Sequence, residues 1–318
     1  MVYLDPARPG SVSTSERAHF AWNLLRAELG GRTDWWIFNH IGIARTQRVI
    51  PRQLRRPYAV FLNGIEVWSP HLSRDRLATL REATVRISIS HHTARRVQMV
   101  HPQIGTIQPC PLGLLDEGPT SGKRDEDLLA RIHPESVLIV GRMSSSERYK
   151  GHDALLECWS SVKRKIPNAQ FVVVGGGDDA QRLAAKASEL GLEGSVLFTG
   201  FVSDSTLGEI WKRARIFAMP SVGEGFGLVY LEAMRASLPC IGSTEDAAGD
   251  IIVNGETGFL VDRAAGDSLS SAIIRLLENP GRAKSMGAAG RNRFETEFTY
   301  DRYVARLGPI LQTAFEQS

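Results

Sequence analysis

Lysine does not occur in the first 112 residues of this 318-residue chain. Fifteen arginines do, against seven acids, so this part is basic through guanidinium groups alone while the remainder is acidic. No run of eighteen apolar residues exists, which excludes a membrane-spanning helix. The opening segment, MVYLDPARPGSVSTSERAHF, has no apolar core of the kind a signal peptide needs. Cysteine is scarce: Cys110, Cys158 and Cys240 are odd in number and far apart. That pattern argues against a disulfide framework or a zinc site. It favours a reducing, cytoplasmic setting in which the three are small buried side chains. Internal repeats and low-complexity tracts are also missing.

What is present is the composition of a globular protein, in a chain long enough for two cores. The basic charge is densest in RTQRVIPRQLRR, Arg45 to Arg56. Such a run fits a solvated helix face, or a surface that meets anionic lipid or an anionic acceptor. It lacks interleaved aromatics and any nucleic-acid-binding motif, so nucleic acid is not an expected partner.

Short apolar runs alternate with amphipathic stretches. Strands are expected at Trp35–Phe38, Tyr58–Leu62, Val85–Ser90 and Gly105–Gln108, then at Ser136–Val140, Gln170–Val174, Ser195–Thr199, Arg215–Met219, Pro239–Gly242 and Gly258–Val261. Helices are expected near Ser15–Leu29, His71–Ala83, His91–Val100, Asp153–Lys165, Asp179–Leu190, Ser205–Ala214, Gly227–Ala236 and Ser268–Leu277. Continuous apolar strands alternating with helices imply an α/β class with parallel sheets covered on both faces, in two Rossmann-like domains. PCPLGLLDEGPTSGKRDED, Pro109 to Asp127, is aperiodic and rich in Pro, Gly and charge. The expected division is a domain over 1–112, a linker over 113–135, a domain over 136–294 and a C-terminal helix over 295–318 that packs across the domains.

SVGEGFGLVYLEAMRASLPCIGS, Ser221 to Ser243, reads as a loop after a strand followed by a helix. In parallel α/β sheets, ligands bind where such loops lie, at the carboxyl ends of strands. Gly225 and Gly227 let a backbone approach a ligand, and the N–H groups of Gly227, Leu228 and Val229 would open an anion site at the helix start. Glu224 and Glu232 flank that start and could accept bonds from hydroxyls on either side of a diphosphate, which is the shape of a nucleotide-sugar. The alternative for these acids is a surface loop residue and a solvated helix residue. A second cluster, GRMSSSERYKGHDALL from Gly141 to Leu156, places Arg142 at a strand end and Lys150 before a helix, a cation pair suited to a diphosphate leaving group. Two other patterns are weaker. Gly175, Gly177 and Ala180 match the dinucleotide fingerprint, but Asp178 and Asp179 at the helix start would repel a pyrophosphate. Asp125-Glu126-Asp127 matches the Asp-x-Asp of metal-dependent glycosyltransferases, but it precedes a strand and reads as solvated charge.

Together these segments resemble the retaining glycosyltransferases of family 4 (glycosyl transferases group 1), whose fold is GT-B, with two Rossmann-like domains facing a cleft. The resemblance runs through Ser136–Phe298 in GRM…ERYKG, VVVGGG, FTGFVSD, PSVGEGFGLVYLEAM, PCIGS and NGETGFLV, and more weakly through FLNGIEVW, ISISHHTARRV and PCPLGL. It implies transfer of a sugar from a UDP- or GDP-type nucleotide-sugar to a carbohydrate or lipid-linked acceptor hydroxyl, with retention. It implies no metal and no cofactor beyond the nucleotide-sugar co-substrate. It assigns Glu224 to the donor sugar's hydroxyls, and Phe226 and Gly227 to that sugar through backbone N–H. Leu228 and Val229 fall to phosphate, Glu232 to ribose, Arg142 and Lys150 to the diphosphate, and Val202 to the nucleobase. Gly141 is among the donor-binding positions. The first domain becomes the acceptor side, and its arginines suggest peripheral contact with an anionic membrane at the inner face of the cytoplasmic membrane. Where the family often has His-Gly, this chain has Asn63-Gly64. Asn63 can bond a hydroxyl but cannot act as a base, so His40 is a substitute candidate. Met1–Gly31 offers a helix without the family's opening strand and Gly-Gly loop, so the first domain is expected to be shortened or truncated. A non-catalytic donor-binding relative and a nucleotide-sugar epimerase of the same fold stay open as alternatives.

Overall fold

A computed structural model describes residues 14–31, 33–115 and 121–316 of the chain. Residues 1–13 of the opening segment and residues 116–120 of the expected linker lie outside the described residues. The chain divides into two units, Met1–Cys110 with Arg306–Ser318, and Pro111–Ala305.

In the first unit, β1 (Trp36–Phe38), β2 (Tyr58–Leu62), β3 (Val85–Ser88) and β4 (Ile107–Pro109) form a parallel sheet in the order β1-β2-β3-β4. Its helices of eight or more residues are α1 (Thr14–Leu29), α2 (Arg74–Glu82) and α3 (His91–Val100). Ser73 and Ser90 start α2 and α3 by accepting the N–H of Arg76 and Thr93, which is why each helix begins where it does. Leu24, Ile41, Val60, Leu62, Leu80 and Val97 share the core. The run RTQRVIPRQLRR is not a helix face. Pro51 interrupts it, leaving two 3₁₀ turns, Arg45–Val49 and Arg52–Leu54. Two of its five arginines share one carboxylate: Arg55 pairs with Glu82 at 2.7 Å and Arg48 with the same group at 3.4 Å.

The second unit carries β5 (Ser136–Val140), β6 (Gln170–Val174), β7 (Val196–Gly200), β8 (Ile216–Ala218), β9 (Cys240–Ser243) and β10 (Gly258–Val261), all parallel. Their order is β10-β9-β8-β5-β6-β7. Helices α4 (His152–Lys165), α5 (Ala180–Glu189), α6 (Asp204–Arg213), α7 (Leu228–Arg235), α8 (Ser268–Leu277) and α9 (Pro280–Glu297) alternate with or follow the strands. β6 is buried throughout: Phe171–Val174 is an unbroken apolar run, and Gln170 at its start accepts the N–H of His133 and donates to the Arg131 carbonyl, both at 2.9 Å. Helix α9 has no expected counterpart because Gly281, Gly287 and Gly290 dilute its apolar stripe; Asn279 caps it and Pro280 opens it. Where a terminal helix was expected over 295–318, residues 295–297 end α9 and a separate helix, α10 (Tyr300–Glu316), follows; its residues from Arg306 on belong to the first unit, where Phe315 meets the Trp35 ring at 4.7 Å.

The described part of the expected linker is fastened down. Ser203 and Ser205, at the start of α6, donate to the carbonyls of Lys123 (2.8 Å) and Gly122 (2.7 Å). Asp125 accepts the N–H of Leu128 and so caps the single turn Glu126–Ala130, which gives the acidic triplet a local structural use. No described helix is long and apolar enough to cross a membrane.

Candidate functional site

The strand order of the second unit reverses once. The chain runs outward from β5 to β6 to β7, then returns to place β8 on the other side of β5. Loops leaving the carboxyl ends of two such strands diverge and open a crevice, the usual ligand position in an α/β sheet. Here those are the loops carrying Gly141–Lys150 and Ser221–Gly227, the two segments singled out from the sequence.

The loops are joined. Val222 donates to the Tyr149 carbonyl at 3.0 Å, Gly223 lies on the Tyr149 ring, and Gly151 lies against Pro220. The triple-glycine run supports the first loop from the β6 side. Gly141 donates to the Val174 carbonyl (3.0 Å) and Met143 to the Gly176 carbonyl (2.9 Å), an approach so close that a Cβ on Gly175 or Gly177 would collide with the carbonyl of Gly141 or Met143. Asp178 accepts the N–H of Ser145 at 3.2 Å, and Asp179 holds Arg148 at 2.8 Å and Arg182 at 2.6 Å. The dinucleotide-like pattern is therefore a packing device, and its acids anchor the loop between Arg142 and Lys150.

Arg142 and Lys150 converge. Both pair with Glu147, Arg142 through one carboxylate oxygen and Lys150 through the other at 3.0 Å. Lys150 is shielded, with 15% of its side chain exposed, while Arg142 is open at 70%. Glu224 is half-buried, and its pKa is raised by burial, with Lys150 opposing and Glu147 reinforcing the shift. The first carboxylate is thus in the electrostatic reach of Lys150. Its backbone N–H donates to Asp246 at 3.1 Å, and Ala247 donates back to its carbonyl at 3.2 Å.

Helix α7 starts at Gly227, which has φ +94° and offers no side-chain cap. With no acid in the first turn, the N-terminal N–H groups of α7 present undiluted positive potential beside Glu224. Phe226 is buried against Phe298, ring centroids 6.2 Å apart, so only its backbone is available to a ligand. Leu228 is exposed and Val229 half-buried. Glu232 is half-buried one turn on; burial raises its pKa while Arg235 opposes. The two carboxylates therefore sit in different electrostatic surroundings, one facing Lys150 and Glu147, the other Arg235. Val202 follows β7, two strands from β5.

His40 and Asn63 follow β1 and β2 in the first unit. The Nδ1 atom of His40 accepts the N–H of Gly42 at 2.9 Å, which directs its proton to Nε2. Asn63 donates from Nδ2 to the Asn39 carbonyl at 2.9 Å, so the two candidates stand on adjoining loops. Burial raises the pKa of all three thiols and so favours their neutral form; Cys110 and Cys240 are fully buried. An open cavity of about 440 Å³, lined by Phe259, Arg275 and Arg282 among others, lies along β10 and contains no expected site residue.

Two functional candidates escaped the sequence reading. Glu147 lies inside GRMSSSERYKG, where a lone acid among cations reads as a solvated loop residue. Asp246 stands 22 residues from Glu224 in a different loop, with no local signal to link them.

The pattern of the family described as Glycosyl transferases group 1 matches residues 124–293. The GDP-mannose-dependent α-(1-6)-phosphatidylinositol monomannoside mannosyltransferase of Mycobacterium tuberculosis H37Rv is 34% identical over 170 residues, covering 51% of this chain and 44% of that protein. The GDP-mannose-dependent monoacylated α-(1-6)-phosphatidylinositol monomannoside mannosyltransferase of Corynebacterium glutamicum is 30% identical over 245 residues, covering 73% and 63%. The chain thus spans about half the length of the relatives it matches. Among solved structures, Anabaena HepE in complex with UDP and glucose is similar with a TM-score of 0.74 at 19% identity, covering 96% of this chain and 84% of that one. Sucrose-phosphate synthase from Thermosynechococcus elongatus has a TM-score of 0.75 at 21% identity, covering 98% and 83%. These likenesses give the fold as GT-B, with two parallel-sheet α/β units. The matched region takes in both switch-point loops and helix α7, and the chain belongs to the glycosyl transferases group 1.

Proposed function

We propose that the protein moves a hexose from a nucleoside-diphosphate sugar to an acceptor hydroxyl, with retention of configuration and without a metal. The observation that carries this reading is the convergence at the β5/β8 switch point of a cation pair, an uncapped helix start and the Glu224 carboxylate. Arg142, Lys150 and the N–H groups of Leu228 and Val229 would hold the phosphates, Glu224 the sugar hydroxyls and Glu232 the ribose, with the base near Val202. Positive charge on the leaving group supplies the main stabilisation as the bond from the anomeric carbon to phosphate breaks. The acceptor oxygen bonds to the same face of an oxocarbenium-like carbon, and its proton passes to the departing phosphate oxygen.

The names of the relatives favour GDP-mannose as donor and a lipid-linked acceptor. The arginine-rich first unit suits an acceptor presented at an anionic membrane surface.

Thermal-shift titration with GDP-mannose, UDP-sugars and ADP-sugars tests the donor site, since a bound donor raises stability by mass action. One of these donors should raise Tm, and Lys150→Ala and Glu232→Ala should each abolish the shift. A shift that survives both substitutions overturns the site. Donor incubated alone separates the chemistries: slow hydrolysis supports transfer, an epimer supports the epimerase, and binding without turnover supports a non-catalytic relative.

A further inference from the structure

Glu147 stands between the two cations of the donor site. One carboxylate oxygen pairs with the Arg142 guanidinium and the other with Lys150 Nζ at 3.0 Å. A phosphate would offer its oxygens to the same two groups. Glu147 is itself only 16% exposed, so its charge is poorly screened by water. It is also held from both sides: Ser145 donates to Asp178 at 3.2 Å, and Arg148 pairs with Asp179 at 2.8 Å. The backbone leaves helical geometry at Glu147 itself, with φ −122° and ψ 27°, in the middle of the 3₁₀ run. The loop is therefore built to aim this one carboxylate at the pair.

We infer that Glu147 is a resident counter-anion, a positioning residue that keeps Arg142 and Lys150 together when no phosphate is bound and competes with phosphate when one arrives. The inference rests on the donor-site reading given above. With Glu147 in place, the cation pair is half-neutralised before any ligand enters, and a nucleoside diphosphate must share or displace the carboxylate. Lysine has three donors and arginine five, so both cations can hold the carboxylate and a phosphate at once; the two anions then stand a few ångströms apart, and their mutual repulsion opposes phosphate binding. The consequence is a weaker hold on the nucleoside diphosphate product, and faster release.

The test is calorimetric titration of the full chain with GDP, UDP and inorganic pyrophosphate. Glu147→Gln keeps the shape and removes the charge. It should tighten the nucleoside diphosphate that wild type binds by about fivefold or more, and pyrophosphate likewise. Steady-state kinetics should show a lower kcat with a lower donor KM, the mark of slowed release. Glu147→Asp retains the charge and should return affinity toward wild type. Binding in Glu147→Gln that is unchanged or weaker, where wild-type binding is lost in Lys150→Ala, overturns the role of Glu147 and leaves the donor site standing. A wild-type chain that binds none of the three overturns both.

Discussion

Asp246 accepts two backbone N–H bonds, from Glu224 at 3.1 Å and from Ala248 at 2.9 Å, and is 3% exposed. Burial raises its pKa from 3.8 to about 6, against the lowering effect of those bonds. The folded state therefore holds this proton more tightly than the unfolded chain does. Its contribution to stability is complete below about pH 4 and is lost as pH rises through 6. The loss is of order 2–3 kcal/mol, and the raised values of Glu224 and Glu232 add in the same direction. Urea unfolding at pH 4 and pH 7 measures it, and Asp246→Asn should flatten the difference. Asp179 runs the other way. Held near a pKa of 2 chiefly by Arg182, it stabilises above pH 4 and ceases to do so as pH falls through 2, outside the Asp246 window. At this scale Glu224 and Glu232 stood out because two acids bracketing Gly-Phe-Gly have few structural uses, and both are half-buried around the start of α7; the roles given to them are those proposed above. Asp246 was not, because its role comes from a hydrogen bond across 22 residues that no local pattern announces.

Helix α7 depends on its N-cap residue, Gly227. A Cβ at Gly227 would lie 2.5 Å from the Tyr230 ring and 3.3 Å from Glu224 Cγ, on a backbone with φ +94° that side chains rarely adopt. Gly227→Ala should cost about 2 kcal/mol or more in urea unfolding. It should also weaken the donor-induced thermal shift, because both the helix start and Glu224 must move. The strands were readable almost to the residue: Tyr58–Leu62, Ser136–Val140, Gln170–Val174 and Gly258–Val261 match. Buried parallel strands are short apolar runs bounded by turn residues, and few other elements look like that. Helix α9 was lost for the opposite reason, since its glycines hide the apolar period. The triple glycine after β6 looked like a cofactor loop because close backbone approach demands glycine whether the neighbour is a phosphate or, as here, the carbonyls of Gly141 and Met143.

Across the whole molecule, the decisive fact was not in the sequence. Periodicity identifies strands but not their neighbours. That β8 returns to the side of β5 is a matter of pairing, and it alone brings Arg142, Lys150 and Glu224 to one place. The first unit shows no such reversal among its described strands. Charge, by contrast, was legible from composition: the arginine excess lies in that unit, where exposed Arg52 sits beside exposed Leu54 and Val49. Sedimentation with vesicles containing a third phosphatidylglycerol should pull the protein down at 50 mM salt and release most of it at 500 mM, as the Debye length shrinks to a few ångströms. Arg52→Glu with Leu54→Ser should weaken the association, and binding indifferent to salt and to these changes would discard the membrane reading.

The bonded pair of loops, with Tyr149 under Gly223 and Pro220 against Gly151, has a practical side for anyone altering the proposed donor site. A mutant library that randomises one of them should meet the other as a fixed wall and lose many clones to misfolding. Diversifying residues 145–151 and 220–225 together lets compensating pairs survive selection, so new specificities should emerge from joint rather than sequential rounds.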